Sequence, residues 1–400
     1  MMNLLFCFRR IWVWPFLLVG LMCGQPAVAQ YTSGIYAEFN TSMGSFTCRL
    51  EYALAPRTCA NFIALATGQR PWLHEPSGLV RTNPAFNGGI FHRVVSNFVI
   101  QAGSPTGLPN GGPGYDILDE FTPSLRHDAF GVLSMANNGP DSGGSQFFVT
   151  MGAKPGLDDI YSAFGRYYGG SNVIYNINRV ATDSNEKPLT NVLLNSVLIR
   201  RVGAAAIAFN INTNLLPWVT NQNLRVRLQT STVNLSFSNQ LSTEVRLYSS
   251  PQLSQWTETK FGINVVNPAL TNIATAPVLS REFFRLAQIQ YAQTLFVPKN
   301  VLNKTVTLNL ANGNGTFVIQ FNGSGGGSYT WTGGSSGAVL FYDFRQDPYR
   351  GRFLPLVLEN FSYDFDLHLD YDSLTAGTLK GMAYPLVGNP VTLSGTFTAP

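Results

Sequence analysis

Residues 91–104 read FHRVVSNFVIQAGS. Val94, Val95, Phe98, Val99 and Ile100 have the character of core strand, yet His92, Arg93 and Gln101 stand among them. Long polar side chains are rarely buried without partners. These three therefore either face water from the outer side of a sheet or are held in place to act on something. The flanking chain has the same texture. GVLSMAN (131–137), SQFFVTM (145–151) and SAFGRY (162–167) are short apolar runs separated by loops rich in Gly and Pro. Such runs, with many turns and few helices, predict a mainly β fold that closes into a barrel or sandwich. Upstream, residues 36–39 and 46–50 alternate around a turn at 40–44. PRTCANFIALATG (56–68) opens a helix on Pro56 and closes it on Gly68. LTNVLLNSVLIRRV (189–202) reads as a final strand.

Four hundred residues exceed one ordinary core. Gly203 to Ala208 is small and uncharged and marks a boundary, after which LRVRLQT, VNLSFSN and TEVRLYSS alternate with period two. REFFRLAQIQY closes that unit near residue 292. TVTLNLANG, GTFVIQF, SYTWTGG, GAVLFYDF, FDLHLDY and VTLSGTFT then form a meander to Pro400. The predicted segmentation is 1–29, a leader; 30–202, a first domain; 203–292, a β-sandwich-like module; and 293–400, a β-meander or small barrel. Tyr329, Trp331, Tyr342 and Tyr349 in the last module have two readings. They form an exposed strip that contacts glycan or the cell envelope, or they are buried in a β core, the commoner fate. An outer-membrane barrel is not expected, because the chain has no long run of lipid-facing strands and no aromatic terminus.

Charged residues are only 12% of the chain, against the usual quarter, and the formal charge is +4. Losing Arg9 and Arg10 with the leader would leave 24 cationic against 22 anionic residues. So weak a bias predicts no nucleic-acid partner. No zinc-type Cys/His spacing occurs, and neither a metal nor a cofactor is expected.

The leader itself is Arg9-Arg10, the apolar run IWVWPFLLVGLM (11–22), then Ala27-Val28-Ala29 before Gln30. That order reads as a secretory signal, with the product in the bacterial periplasm or outside the cell. The run is short for a membrane span and Pro15 and Gly20 interrupt it, so no span is expected after cleavage, with an uncleaved anchor as the second reading. Cys7 and Cys23 would leave with the signal, so Cys48 and Cys59 remain. Either they form a disulfide in an oxidising compartment, or they are two separate buried thiols.

IFHRVVSNFVIQAG, GGPGYDILDEF, LRHDAFGVLSMANNGPDSGGSQFFVT and LDDIYSAFGR, in this order and spacing, resemble the cyclophilin family of peptidyl-prolyl isomerases. The resemblance covers residues 31 to about 202. It implies an eight-stranded antiparallel barrel with two capping helices, followed by one or two small β modules outside its reach. The implied substrates are proline-containing polypeptides. Arg93 matches the arginine that lies over the bound proline, and Phe98, Val99, Phe148 and Leu157 match the proline pocket. Gln101 and Gln146 match its polar wall, and Ala136 and Asn137 match the backbone edge that receives the substrate chain. Tyr161 stands where many members carry His. His92 and His127 are expected in structural roles, the first hydrogen-bonded within the sheet and the second ordering a loop. His74 and His368 read as surface.

Three departures stand out. Gly156 replaces an aromatic ring, which should weaken cyclosporin-type binding more than catalysis. Val99 replaces a common Met, and Ser104 a usual Asp. Two functions fit: an isomerase for exported proteins, or a non-catalytic peptide-binding or envelope-scaffold protein that kept the barrel.

Overall fold

The structure, a computed structural model, describes residues 31–222, 225–228, 233–239, 242–264, 269–275 and 282–292. Beyond them it describes 301–311, 313, 315–323, 325–332, 336–346, 350–358, 363–373, 375–385 and 389–399. The leader, including Cys7 and Cys23, and Tyr349 lie outside the described residues.

The first domain contains β1 (Gly34–Thr41), β2 (Gly44–Leu50), α1 (Pro56–Thr67), β3 (Trp72–His74), β4 (Leu79–Arg81), β5 (Gly89–Ile90), β6 (Arg93–Val95) and β7 (Val99–Ala102). It continues with β8 (Phe130–Met135), β9 (Phe147–Met151), β10 (Ala163–Gly169), α2 (Ser171–Asn178) and β11 (Leu193–Val202). Eight substantial strands and the two-residue β5 form one antiparallel curled sheet, ordered β5-β11-β1-β2-β10-β8-β9-β7-β6. The eight expected strands are thus present in a sheet curled into a half-barrel, with β5 added at one end. α1 starts on Pro56, whose missing N–H costs a first-turn position nothing, and ends on Gly68 at φ 69°. Its Cys59, Phe62, Ile63 and Leu65 enter a core with Phe39, Phe46, Phe147 and Phe164. Cys48 and Cys59 are both buried there as free thiols, and Cys59 Sγ donates to the Phe164 carbonyl at 3.4 Å. Of the two readings, the separate buried thiols hold and the disulfide does not.

The expected boundary, Gly203 to Ala208, and the residues after it up to 217 pack on the first core. The short helix α3 (Ala204–Ala208) and a 3-10 turn, Ile211–Thr213, carry Ala206, Ile211 and Leu216 into it. Arg201 Nη1 donates to the Phe209 carbonyl at 2.5 Å. Arg70 Nη2 donates to the carbonyls of Leu216 and Pro217, each at 2.9 Å. Its burial is partial: Ala206, Ile211, Leu216 and Pro217 are buried, while Ile207 and Leu215 are exposed.

The second module is β12 (Trp218–Asn221), β13 (Arg225–Leu228), β14 (Val233–Asn239), β15 (Thr243–Ser250), β16 (Thr257–Asn264), β17 (Ala269–Thr275) and β18 (Phe283–Gln290). It is a sandwich of a four-stranded sheet, β12-β18-β15-β16, on a three-stranded one, β13-β14-β17. Leu235 and Phe237 of one sheet meet Val245, Leu247 and Leu286 of the other. The opposite face of the larger sheet is also apolar. Val219, Tyr248, Ala287, Ile289 and Tyr291 belong to the same core as Trp72 and Leu73 of the first domain. TEVRLYSS alternates like a half-buried strand, yet both its faces are covered, Val245 and Leu247 within the sandwich and Tyr248 against the first domain.

The third module is β19 (Thr305–Leu310), β20 (Thr316–Phe321), β21 (Gly327–Trp331), β22 (Gly337–Gln346), β23 (Arg350–Leu358), β24 (Tyr363–Tyr371), β25 (Ala376–Pro385) and β26 (Val391–Thr398). Each strand pairs with the next, and β26 returns to β19, closing an antiparallel barrel. Val306, Leu308, Ile319, Leu367, Leu369, Leu379 and Phe397 fill its interior, while Asn309, Gln320, Thr330 and Lys380 face out. An interior filled by apolar side chains differs from the polar interior of an outer-membrane barrel. Tyr329 and Tyr342 belong to this core and Trp331 packs against it, so these aromatics take the buried reading and form no exposed strip.

Candidate active site

The sheet register aligns the polar residues that interrupt the opening strands. Arg93 on β6 faces Gln101 on β7, Gln101 faces Phe148 on β9, and Phe148 faces Ser134 on β8. Directly opposed residues share a face of the sheet. Ile100 and Ala102 belong to the barrel core, so by alternation Val99 and Gln101 point the other way. Phe147 and Phe148 divide in the same manner. Val99 and Phe148 are 2% and 4% exposed, yet neither belongs to the core cluster. They are buried on the outer face, as the floor of a groove.

A hydrogen-bonded chain runs along that face. Arg93 Nε donates to Glu186 Oε2 at 2.6 Å, and Arg93 Nη1 donates to Gln101 Oε1 at 3.3 Å. Gln101 Nε2 donates to Gln146 Oε1 at 2.9 Å. Gln146 Nε2 donates to the carbonyls of Pro109 and Gly111 at 2.6 and 2.9 Å. Ser104, the residue in place of a usual Asp, donates to the Leu108 carbonyl at 2.6 Å and so shapes the loop that anchors Gln146. Arg93 Nη2 has no hydrogen-bond partner among the described residues, and the side chain is 36% exposed.

The other residues surround this row. Phe98 is half-buried in the turn between β6 and β7, with the Lys154 ammonium 5.5 Å from its ring centroid. Tyr161 meets Phe148 edge-on, 5.4 Å between centroids at 87°. Leu157 is half-buried at the end of the 3-10 turn Pro155–Leu157, and its carbonyl accepts from Tyr161 N at 3.1 Å. Ala136 N donates to the Gln146 carbonyl at 2.9 Å. Asn137 Nδ2 donates to the Ile160 carbonyl at 2.7 Å. Register, hydrogen bonds and ring contacts thus link Arg93, Gln101, Gln146, Phe148 and Tyr161, and Gln101, Ala136, Asn137 and Gln146 line one cleft.

The histidines support it. The ring of His127, 1% exposed, stacks against Phe148 at 5.9 Å. Its Nδ1 lies 2.9 Å from Asp158 Oδ1 and its Nε2 2.9 Å from Ser134 Oγ. The carboxylate assigns the proton to Nδ1, leaving Nε2 to accept from the serine. Beyond ordering its loop, His127 thus backs the groove floor. His92 is buried, and among the described residues its ring nitrogens have no partner in good hydrogen-bonding geometry, with the Gln146 amide and the Ile90 backbone as polar neighbours. His74 and His368 are half-buried, not surface.

Burial pushes the His92 pKa down to about 4, only partly opposed by the nearby Gln146 amide. Its ordinary value is 6.5. The unfolded chain therefore binds more protons between these values, and the stability from a neutral His92 is present above pH 6.5 and lost as pH falls toward 4. Burial lowers His127 and His74 as well, with the same sign. Acidifying from about pH 7 to about pH 5 should remove roughly 2 kcal/mol through His92 alone. Thermal melts of wild type and His92→Phe measure this, and an unchanged pH slope in the variant would clear His92 of the effect.

Glu186 was not legible. It follows α2 in a turn at φ 63°, its carbonyl accepts from Val94 N at 2.7 Å, and its carboxylate holds Arg93. A glutamate 93 residues away carries no local signal for that contact. Among the described residues, no group of three or more His, Cys, Asp or Glu is placed to hold a metal ion.

Comparison with known proteins matches the first domain. The family model for cyclophilin type peptidyl-prolyl cis-trans isomerases matches residues 36–199. Peptidyl-prolyl cis-trans isomerase-like 1 of Aspergillus niger is 41% identical over 169 residues, 41% of this chain and 95% of that protein. Peptidyl-prolyl cis-trans isomerase A of Mycobacterium tuberculosis is 39% identical over 165 residues, 41% of this chain and 91% of that protein. A solved cyclophilin type isomerase of Cryptosporidium parvum is 28% identical and covers 42% of this chain and 99% of its own, with a TM-score of 0.38.

Proposed function

Because the chain belongs to the cyclophilin-type peptidyl-prolyl cis-trans isomerases, we propose that its groove turns X-Pro bonds with Arg93 as the transition-state donor and Val99 and Phe148 as the proline seat. Rotation about an X-Pro bond breaks amide resonance against a barrier of roughly 18–20 kcal/mol. Uncatalysed, it takes tens to hundreds of seconds. No covalent bond forms or breaks, so the reaction needs no nucleophile or general base. At the twisted geometry the proline nitrogen regains its lone pair and accepts a hydrogen bond, which the planar amide cannot do. A donor fixed at that nitrogen binds the transition state better than the ground state.

The observation that carries this reading is the two-edged tether of Arg93. Glu186 holds Nε and Gln101 holds Nη1, leaving Nη2 to donate over the Val99 and Phe148 floor. The Phe148 ring, backed by His127 and flanked by Tyr161, offers a dry face on which the proline ring stays still while the carbonyl side rotates. Ala136 and Asn137 form the edge along which the polypeptide lies. Phe98 and Leu157 complete the apolar rim.

The test is kcat/KM for a proline-containing peptide with the chain from Gln30 onward, measured beside peptide binding. Clear acceleration is expected. Binding without acceleration would leave the non-catalytic peptide-binding role in its place.

The clients are exported polypeptides in this reading. It rests on the order of Arg9-Arg10, the apolar run and Ala27-Val28-Ala29, and places the product in the periplasm or outside the cell. Secreted material should begin at Gln30 by N-terminal sequencing, and a Met1 start would refute cleavage there.

A further inference from the structure

The hairpin β3–β4 and its tip, a 3-10 turn over Glu75–Ser77, fasten the first domain to the second module. Trp72 and Leu73 share a core with Tyr248, Ile289 and Tyr291. Arg285 Nη1 donates to the Ser77 carbonyl at 2.6 Å. Gly78 sits at φ 62°, where a Cβ would strike the Tyr248 ring, so the turn needs glycine for both its backbone and its space. A joint with one continuous core does not swing like an ordinary linker.

That joint bounds a cleft of about 240 Å³ beside the candidate active site. Gln101, Ala136, Asn137 and Gln146 line its inner side, and Glu75 and Arg246 line its outer side. The second module thus supplies a wall to the groove. Its charges are unequal. Arg246 Nη1 donates to Glu75, its Nε donates to Glu244 Oε1 at 2.5 Å, and Glu258 Oε2 lies 3.9 Å from Nη1. Glu244 is buried and also accepts from Tyr291 Oη at 2.9 Å. One guanidinium therefore answers three carboxylates. Glu75, its side chain one-third exposed, is the one of the three that lines the cleft.

We propose that Glu75, held in place by Arg246 of the second module, makes this cleft select polypeptides with a lysine or arginine close to the isomerised proline. The inference rests on the isomerase reading, which seats the proline at Val99 and Phe148. A chain leaving that seat past Gln101 and Gln146 enters the cleft within about three residues, at roughly 3.3–3.6 Å per residue. A cationic side chain there meets surplus negative charge, whereas an acidic one meets repulsion. The wall is partly solvated, so the preference is modest and sensitive to salt.

Labelled peptides with lysine, glutamine or glutamate at each position flanking a central Ala-Pro test this, by fluorescence anisotropy and by isomerisation rate. At one flanking position lysine should bind about three- to tenfold tighter than glutamate. High salt should narrow the gap, and Glu75→Gln should bring the ratio close to one. Equal affinities at every position, or a lysine preference that survives Glu75→Gln, would overturn the assignment. Turnover of the uncharged peptide reports the isomerase separately. Its absence beside an intact lysine preference would sink the catalytic reading and leave the cleft standing; turnover without charge preference would do the opposite. The salt series uses unmodified protein and holds even if a variant folds poorly.

Discussion

Arg93→Ala is expected to lower kcat/KM for a proline peptide by roughly 100- to 1,000-fold, the range seen when one preorganised transition-state donor is removed. The fold should survive, because Arg93 is only half-buried and its ion pair with Glu186 is solvated on both sides. The loss should fall mainly on kcat, because the donor meets its acceptor only in the twisted state. Arg93→Lys should recover little: a lysine presents one flexible point charge, whereas the guanidinium is tethered at two nitrogens while offering a third. The tether has its own test. Glu186→Gly keeps a backbone compatible with φ 63° and removes the side chain, its carboxylate included. It should cost about three- to tenfold in kcat with little change in melting temperature. If Arg93→Ala retained near-wild-type kcat/KM, the transition-state role would have to move to another residue.

The opening stretch was legible because its exceptions were local. Arg93 and Gln101 break an apolar strand pair eight residues apart, and the hairpin register sets them opposite each other. α1 was legible to the residue, since Pro56 and Gly68 act through the backbone at its two ends. Glu186, Glu75 and Arg246 were not, because each reaches its partner through tertiary packing at a separation of 93 or 171 residues. Two of the barrel strands also escaped notice. β23 contains Pro355, and β25 contains Gly377 and Gly381, residues that read as breaks. In β25 the glycines are where neighbouring backbone comes too close for a Cβ, at the Asp370 and Asp366 carbonyls. The disulfide reading failed for a different reason. Pattern placed Cys48 and Cys59 correctly on buried faces but said nothing about whether two buried sulfurs face each other.

Gly156→Trp is expected to tighten a cyclosporin-type cyclic inhibitor by roughly tenfold to a hundredfold, with a far smaller change in kcat/KM for a short peptide. Gly156 is exposed in the middle of the 3-10 turn Pro155–Leu157, and a Cβ there would meet nothing within 4 Å. Its backbone has no left-handed φ, so a side chain can be added without strain. The next residue, Leu157, belongs to the rim, and its carbonyl accepts from the amide of Tyr161, whose ring meets Phe148. An indole at 156 would extend that rim with apolar surface worth about 1–3 kcal/mol to a ligand broad enough to cover it. In the proposed reading a tetrapeptide is not broad enough, with its proline on Val99 and Phe148 and its amide at Arg93. The natural protein should therefore turn over peptides while resisting the inhibitor. Titrating both forms decides the matter, and tight inhibition of the natural protein would mean that another side chain already covers this edge of the groove.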